Sequence, residues 1–224
     1  MDEEVPGATI ASRARSFGAV ATAVVCTFAL WWAFGRGERV PLLWGVDLGF
    51  HELGHLLAAW MPGLLPPLAG TVAQVAVPLG LAGYFGFVRR QPLSCALMLA
   101  WAGTSAQNAS VYIADAPTQY LPLLGGGRHD WAAILAGNLD AAAPLAGTVW
   151  VAGLLFVLAG LALAVWPILE PSVRGRRDAR ERARLATLPR REPRNRVSLP
   201  EAGMLEEEGA PESMAVPRPP GRLP

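Results

Sequence analysis

A succession of long apolar runs, separated by short polar or proline-rich breaks, limits what this chain can fold into more than any other feature. A helix needs about 20 apolar residues to cross the hydrocarbon core of a bilayer. Five stretches approach that length: 17–34, 42–61, 68–88, 92–116 and 145–166. Trp31, Trp32, Trp44, Trp60 and Trp166 lie at or near their ends, where tryptophans meet the membrane interface. The expected fold class is therefore all-α: a polytopic membrane protein of about five transmembrane helices with a disordered C-terminal tail. Three regions are expected: a polar N-terminal segment 1–16, a transmembrane helical domain 17–169 and an Arg/Pro/Glu-rich tail 170–224.

Charge follows the same division. Twelve of the 19 basic residues, all of them arginine, fall after position 170, which leaves the first 170 residues sparsely charged. The tail has too little apolar content to build a core, so a solvated, disordered segment is expected, although part of 174–188 could form a basic helix at the membrane surface. A net charge of +1 gives no electrostatic case for a nucleic-acid partner. The all-arginine basic set, with abundant Ala and Gly, reads as GC-rich coding, and the expected location is a bacterial cell membrane. Arg13 and Arg15 precede the first run as in a signal peptide, but no small-residue cleavage site follows, so an uncleaved helix is expected. Alternating five spans and counting short-loop arginines puts loop 36–41, the turn at Arg89 and Arg90, and the tail in the cytoplasm. The 62–67 turn, the 117–144 segment and, against Arg13 and Arg15, the N-terminus fall outside. A short sixth segment at 131–144 would reverse that parity.

The second run contains "GVDLGFHELGHLLAAWM", an apolar helix that nonetheless carries Asp47, His51, Glu52 and His55. Ionisable groups inside a membrane are costly and mark function by default. Residues four apart share a helical face, so His51 and His55 present their imidazoles side by side and can supply two ligands to one zinc ion. Glu52 lies next to the first histidine, placed to act as general base. Two of the chain's three histidines occupy this motif. The competing reading is a histidine pair satisfied by interhelical hydrogen bonds. Asp47, one turn before His51, could accept that ring's remaining N–H, or could simply be an interface residue. Cys26 and Cys95 form no CxxC pair, so a cysteine-based zinc site is excluded.

A catalytic zinc takes three protein ligands and an open position. The polar residues left in or beside the spans are Asp115, His129, Asp130 and Asp140. His129 follows a glycine run. Asp130 could be the N-cap of a helix opening at "HDW". Gln74, Gln107 and Asn108 are expected to bond across helices.

With HELGH in a span, further spans after it, and an Asn followed by an Asp in "NASVYIAD", the sequence resembles the site-2 protease family of intramembrane zinc metalloproteases. The resemblance covers about 40–116. It implies a zinc cofactor, a membrane-embedded protein substrate in the lipid bilayer, Glu52 as catalytic residue, and Asp115 as third ligand to join His51 and His55. It also implies that Asn108 orients the site or holds an unwound substrate strand. The family's second motif is Asn-x-x-Pro-x-x-x-Leu-Asp-Gly. Here the Asn108-to-Asp115 spacing is one residue shorter, and the proline and the Leu-Asp-Gly ending are missing. His129 therefore ranks close behind Asp115, and Asp130 third. The expected activity is hydrolysis of a peptide bond within or beside a membrane span. Its rivals are a metal-binding membrane protein without protease activity, such as a transporter or degenerate homologue, and a scaffold acting through its tail.

Overall fold

The computed structural model describes residues 6–123 and 127–186, and every regular element among them is helical. In chain order these are α1 (Pro6–Leu30), α2 (Leu43–Ala58), α3 (Leu65–Gly83), α4 (Pro92–Ala114), α5 (Asp130–Ile134) and α6 (Ala142–Ala186). α1 and α3 each end in a π-helical turn, at Trp31–Gly35 and Tyr84–Val88. A 3-10 turn, Leu139–Ala141, leads into α6.

The breaks between helices follow local chemistry. Leu42, at φ 66°, sits in the left-handed region immediately before α2. After α2 the chain turns through Pro62 and Gly63, the latter at φ 71°, which glycine adopts without a Cβ clash. Prolines occupy the first turns of α3 and α4, where a missing N–H leaves no helical bond unmade.

Among the described residues three helical stretches, not five, are long and apolar enough to cross a membrane: Ser16–Gly35, Leu65–Val88 and Leu139–Glu170. The expected second span fails on length. α2 has 16 residues, about 24 Å at 1.5 Å per residue, and is cut short by the breakers on either side. The expected fourth span fails on composition. α4 has 23 residues, but Thr104, Ser105, Gln107, Asn108 and Ser110 make its second half polar. Of the expected 170–224 tail, residues 170–186 extend α6 as helix, and 187–224 lie outside the described residues. The chain divides into two units, 1–182 and 183–224. The bundle and its site lie in the first.

α4 is the centre of the bundle, with eleven of its residues buried. Cys26 and Ala29 of α1 meet Ala96 and Ala100 of α4 and Ala164 of α6 in one apolar cluster. Along the α4–α6 crossing there is no room for side chains. A Cβ on Gly160 would lie 2.6 Å from the Ala96 carbonyl oxygen, and one on Gly153 would lie 2.7 Å from that of Gly103. Small residues let helices approach closely in lipid, where dispersion must replace the hydrophobic drive. A second cluster closes the other end of α4. Ile113 and Ala116 pack there with Trp131 of α5 and Ala142 and Ala146 of α6.

Candidate metal centre

α2 and α3 form an antiparallel hairpin joined by residues 59–64. Gly54 faces the Ala69 carbonyl so closely that any Cβ would strike backbone. This contact turns the His51–His55 face of α2 onto the first turns of α3. Each imidazole then finds an acceptor for its Nδ1. His55 Nδ1 is 2.8 Å from the Pro66 carbonyl oxygen, which can only accept. His51 Nδ1 is 3.2 Å from Gln74 Oε1. The Gln74 amide orientation follows from its other contact, in which Nε2 donates to the Ser105 carbonyl at 3.0 Å. Both rings therefore carry their proton on Nδ1 and present bare Nε2 atoms to the same place.

The third group there is Asp130. Its Oδ2 lies 3.1 Å from His51 Nε2 and 3.2 Å from His55 Nε2. The ligand atoms of the three residues all fall within 4.8 Å of one another, so the group could hold a metal ion. Two lone pairs facing one carboxylate oxygen repel unless a cation, a proton or a metal, lies between them. Burial alone would raise the Asp130 carboxyl. When the imidazoles carry a second proton, the hydrogen bond from His51, the charges of His55 and His51 and the Tyr112 hydroxyl outweigh that and hold it below its ordinary value. Gly70 makes the space: a Cβ there would lie 2.6 Å from His55 Nε2 and 2.8 Å from His51 Nε2.

Asp115 and His129, ranked above Asp130 in sequence, are engaged elsewhere. Asp115 ends α4, and its carboxylate accepts from the Thr118 hydroxyl and from the backbone N–H groups of Tyr120 and Leu121 at 2.9 to 3.0 Å. It organises the turn after α4. His129 is fully buried and lies flat against Tyr112, with ring centroids 4.2 Å apart. Its Nδ1 accepts from the Ala132 N–H at 3.2 Å, so His129, not Asp130, caps α5. Its Nε2 faces Asp115 Oδ2 at 3.4 Å. Asp130 is freed from capping and fixed from behind by Trp131, whose Nε1 donates to Thr71 of α3 at 3.0 Å.

Asp47 does not touch His51. It is buried and accepts from Ser105 Oγ at 2.6 Å and Trp101 Nε1 at 2.8 Å. The role expected of it belongs to Gln74, and Asp47 steadies the same α4 residue whose carbonyl orients the Gln74 amide. Asp140 falls in the 3-10 turn before α6. Glu52 and Asn108 line a cleft of about 230 Å³ together with His51, His55, Asp130 and Tyr112. Among the described residues neither Glu52 nor Asn108 makes a hydrogen bond or ion pair. The rest of the wall includes Trp44, Leu48 and Leu121, with Arg39 and Arg128. Comparison of the chain with protein-family models, with curated proteins and with solved structures returned no match.

Proposed function

We propose that the chain is an intramembrane zinc metallopeptidase, which hydrolyses a peptide bond within or beside a membrane span. The observation that supports this best is the convergence of possible ligand atoms from His51, His55 and Asp130, all within 4.8 Å of one another, beside the Glu52 carboxylate. The donor set suits zinc, which takes His nitrogen and carboxylate oxygen at 2.0–2.2 Å. The edge of a tetrahedron with such bonds is about 3.3 Å, close to the 3.1 and 3.2 Å between Asp130 Oδ2 and the two imidazoles. His51, His55 and Asp130 would hold the ion, which supplies Lewis acidity to a carbonyl oxygen and makes a water acidic.

The chain's own residues supply the rest. Glu52 accepts a proton from the attacking water and returns it to the leaving amide nitrogen, and its carboxylate has no structural partner to give up first. Asn108, with a free amide, can donate to and accept from the backbone of an extended substrate. Such a substrate must be locally unwound, because a regular helix keeps its carbonyls in internal bonds. Trp44, Leu48 and Leu121 offer apolar contact to the flanking side chains. Leu56 and Leu57 of α2, and Trp60 in the turn after it, are exposed at 72%, 64% and 80%, which suits a helix lying against lipid.

The helix directions, with α4 running the length of the bundle between α3 and α6, also change the orientation. α1 runs parallel to α4 (Gly18 beside Leu93, Cys26 beside Ala96), while α3 and α6 run antiparallel to α4. The start of α1, the turn at Arg89 and Arg90, and the part of α6 just beyond Gly160 then share one end of the bundle. While Arg36 and Arg39 fall at the opposite end, Arg13 and Arg15 join Arg89 and Arg90 at this one, which favours it as the cytoplasmic end. That end is cytoplasmic in this proposal, and the metal centre opens outward.

The test is cleavage of a quenched-fluorescence library of apolar peptides by the zinc-loaded full chain in detergent. Wild type cleaves, and Glu52→Gln keeps its zinc and loses at least 100-fold in rate. A Glu52→Gln protein as active as wild type overturns the assignment. A zinc-loaded wild type that cleaves nothing leaves a metal-binding membrane protein.

A further inference from the structure

Tyr112 has no part in the proton transfers above, yet its side chain meets two of the three residues of the centre, Asp130 and His51. It stands one turn after Asn108 on α4. Its hydroxyl donates to Asp130 Oδ2 at 3.2 Å and accepts the Asp130 backbone N–H at 3.1 Å. One face of its ring stacks on His129 at 4.2 Å, and its ring meets His51 at a tilt of 74° with centroids 5.9 Å apart.

Asp130 needs such a partner. His51 and His55 ride on a 16-residue helix, whereas Asp130 opens a helix of five residues after a long connection. A carboxylate there keeps two side-chain torsions and a backbone that no neighbouring helical turn fixes. The Tyr112 hydroxyl closes a ring through both ends of the residue. Accepting from the N–H fixes the backbone, and this directs the hydroxyl proton at Oδ2, the oxygen on which both imidazoles converge.

We infer that Tyr112 is a positioning residue that makes Asp130 the third metal ligand, by clamping its backbone and its carboxylate with a single hydroxyl. The inference rests on the proposal that His51, His55 and Asp130 bind a metal. Hydrogen-bond partners behind metal ligands typically change metal affinity by about 10–100-fold.

Cobalt(II) titration of the full chain in detergent, followed by visible absorption, separates this role from packing. Tyr112→Phe keeps the ring on His129 and removes only the hydroxyl. It is expected to bind cobalt(II) about 10–100-fold more weakly, with an altered d–d spectrum and an unchanged melting temperature of the metal-free protein. Tyr112→Ala loses the stacking as well and melts lower. Tyr112→Phe with wild-type affinity and an identical spectrum overturns the inference and leaves the metal site standing. A wild type that takes up no cobalt(II) overturns the metal reading, and this inference with it.

Discussion

Glycine brings helices together at two places in this molecule, for opposite reasons. Between α4 and α6, an added Cβ on Gly103, Gly153 or Gly160 would strike backbone carbonyls of the opposite helix. At Gly70, an added Cβ would strike the Nε2 atoms of His51 and His55. The first set of glycines lets two helices pack, and Gly70 leaves room at the two imidazoles, where the proposed ion would lie. Both sites are Gly-in-helix in sequence. What the missing methyl would touch tells packing from function.

Substitution separates the two cases. The largest effect is expected from Gly103→Leu, which must push backbone aside at the bundle's centre. Overpacking of this kind costs on the order of 3 kcal/mol, so little folded protein should elute as a monodisperse peak in detergent. Next is Gly70→Ala. It should fold and melt like wild type while losing at least 100-fold in zinc affinity, read by competition with a chromogenic chelator. Wild-type zinc affinity in that variant would break the distinction drawn here. Gln74→Ala should weaken zinc by roughly 10–100-fold, and Gln74→Glu, which keeps an acceptor for His51 Nδ1, should recover most of it. The smallest effect is expected from Asp47→Asn. It retains an oxygen for both Ser105 and Trp101, so zinc affinity should change by no more than a few-fold in the same titration.

The sequence made the helical class and one half of the site legible, because both depend on local spacing. His51 and His55 are four apart, and that alone puts them on one face. Asp130 was not legible to the same degree. Its arrival beside α2 depends on how the connection after α4 folds back, and no spacing records that. Asp115 looked better placed, at the end of an apolar run, but its carboxylate is consumed by the amides of the turn it caps. Gln74 shows the same limit. A glutamine in an apolar run signals a cross-helix bond, but its partner is known only once α3 lies on α2. The two expected spans that fail do so for readable reasons. The breaks at Leu42 and Pro62 bound α2 too tightly, and the abundant alanine of α4 masked a polar half that the bundle buries. Tyr112 had one overlooked signal, its position one turn beyond Asn108 on the same face of α4.

Metal analysis of freshly purified protein in detergent tests the centre most directly, comparing wild type with Asp130→Ala and Asp115→Ala. Wild type and Asp115→Ala should carry zinc in equal proportion to protein, and Asp130→Ala should carry almost none. Zinc retained by Asp130→Ala, or a wild type that neither carries zinc nor takes it up, contradicts the site built from His51, His55 and Asp130.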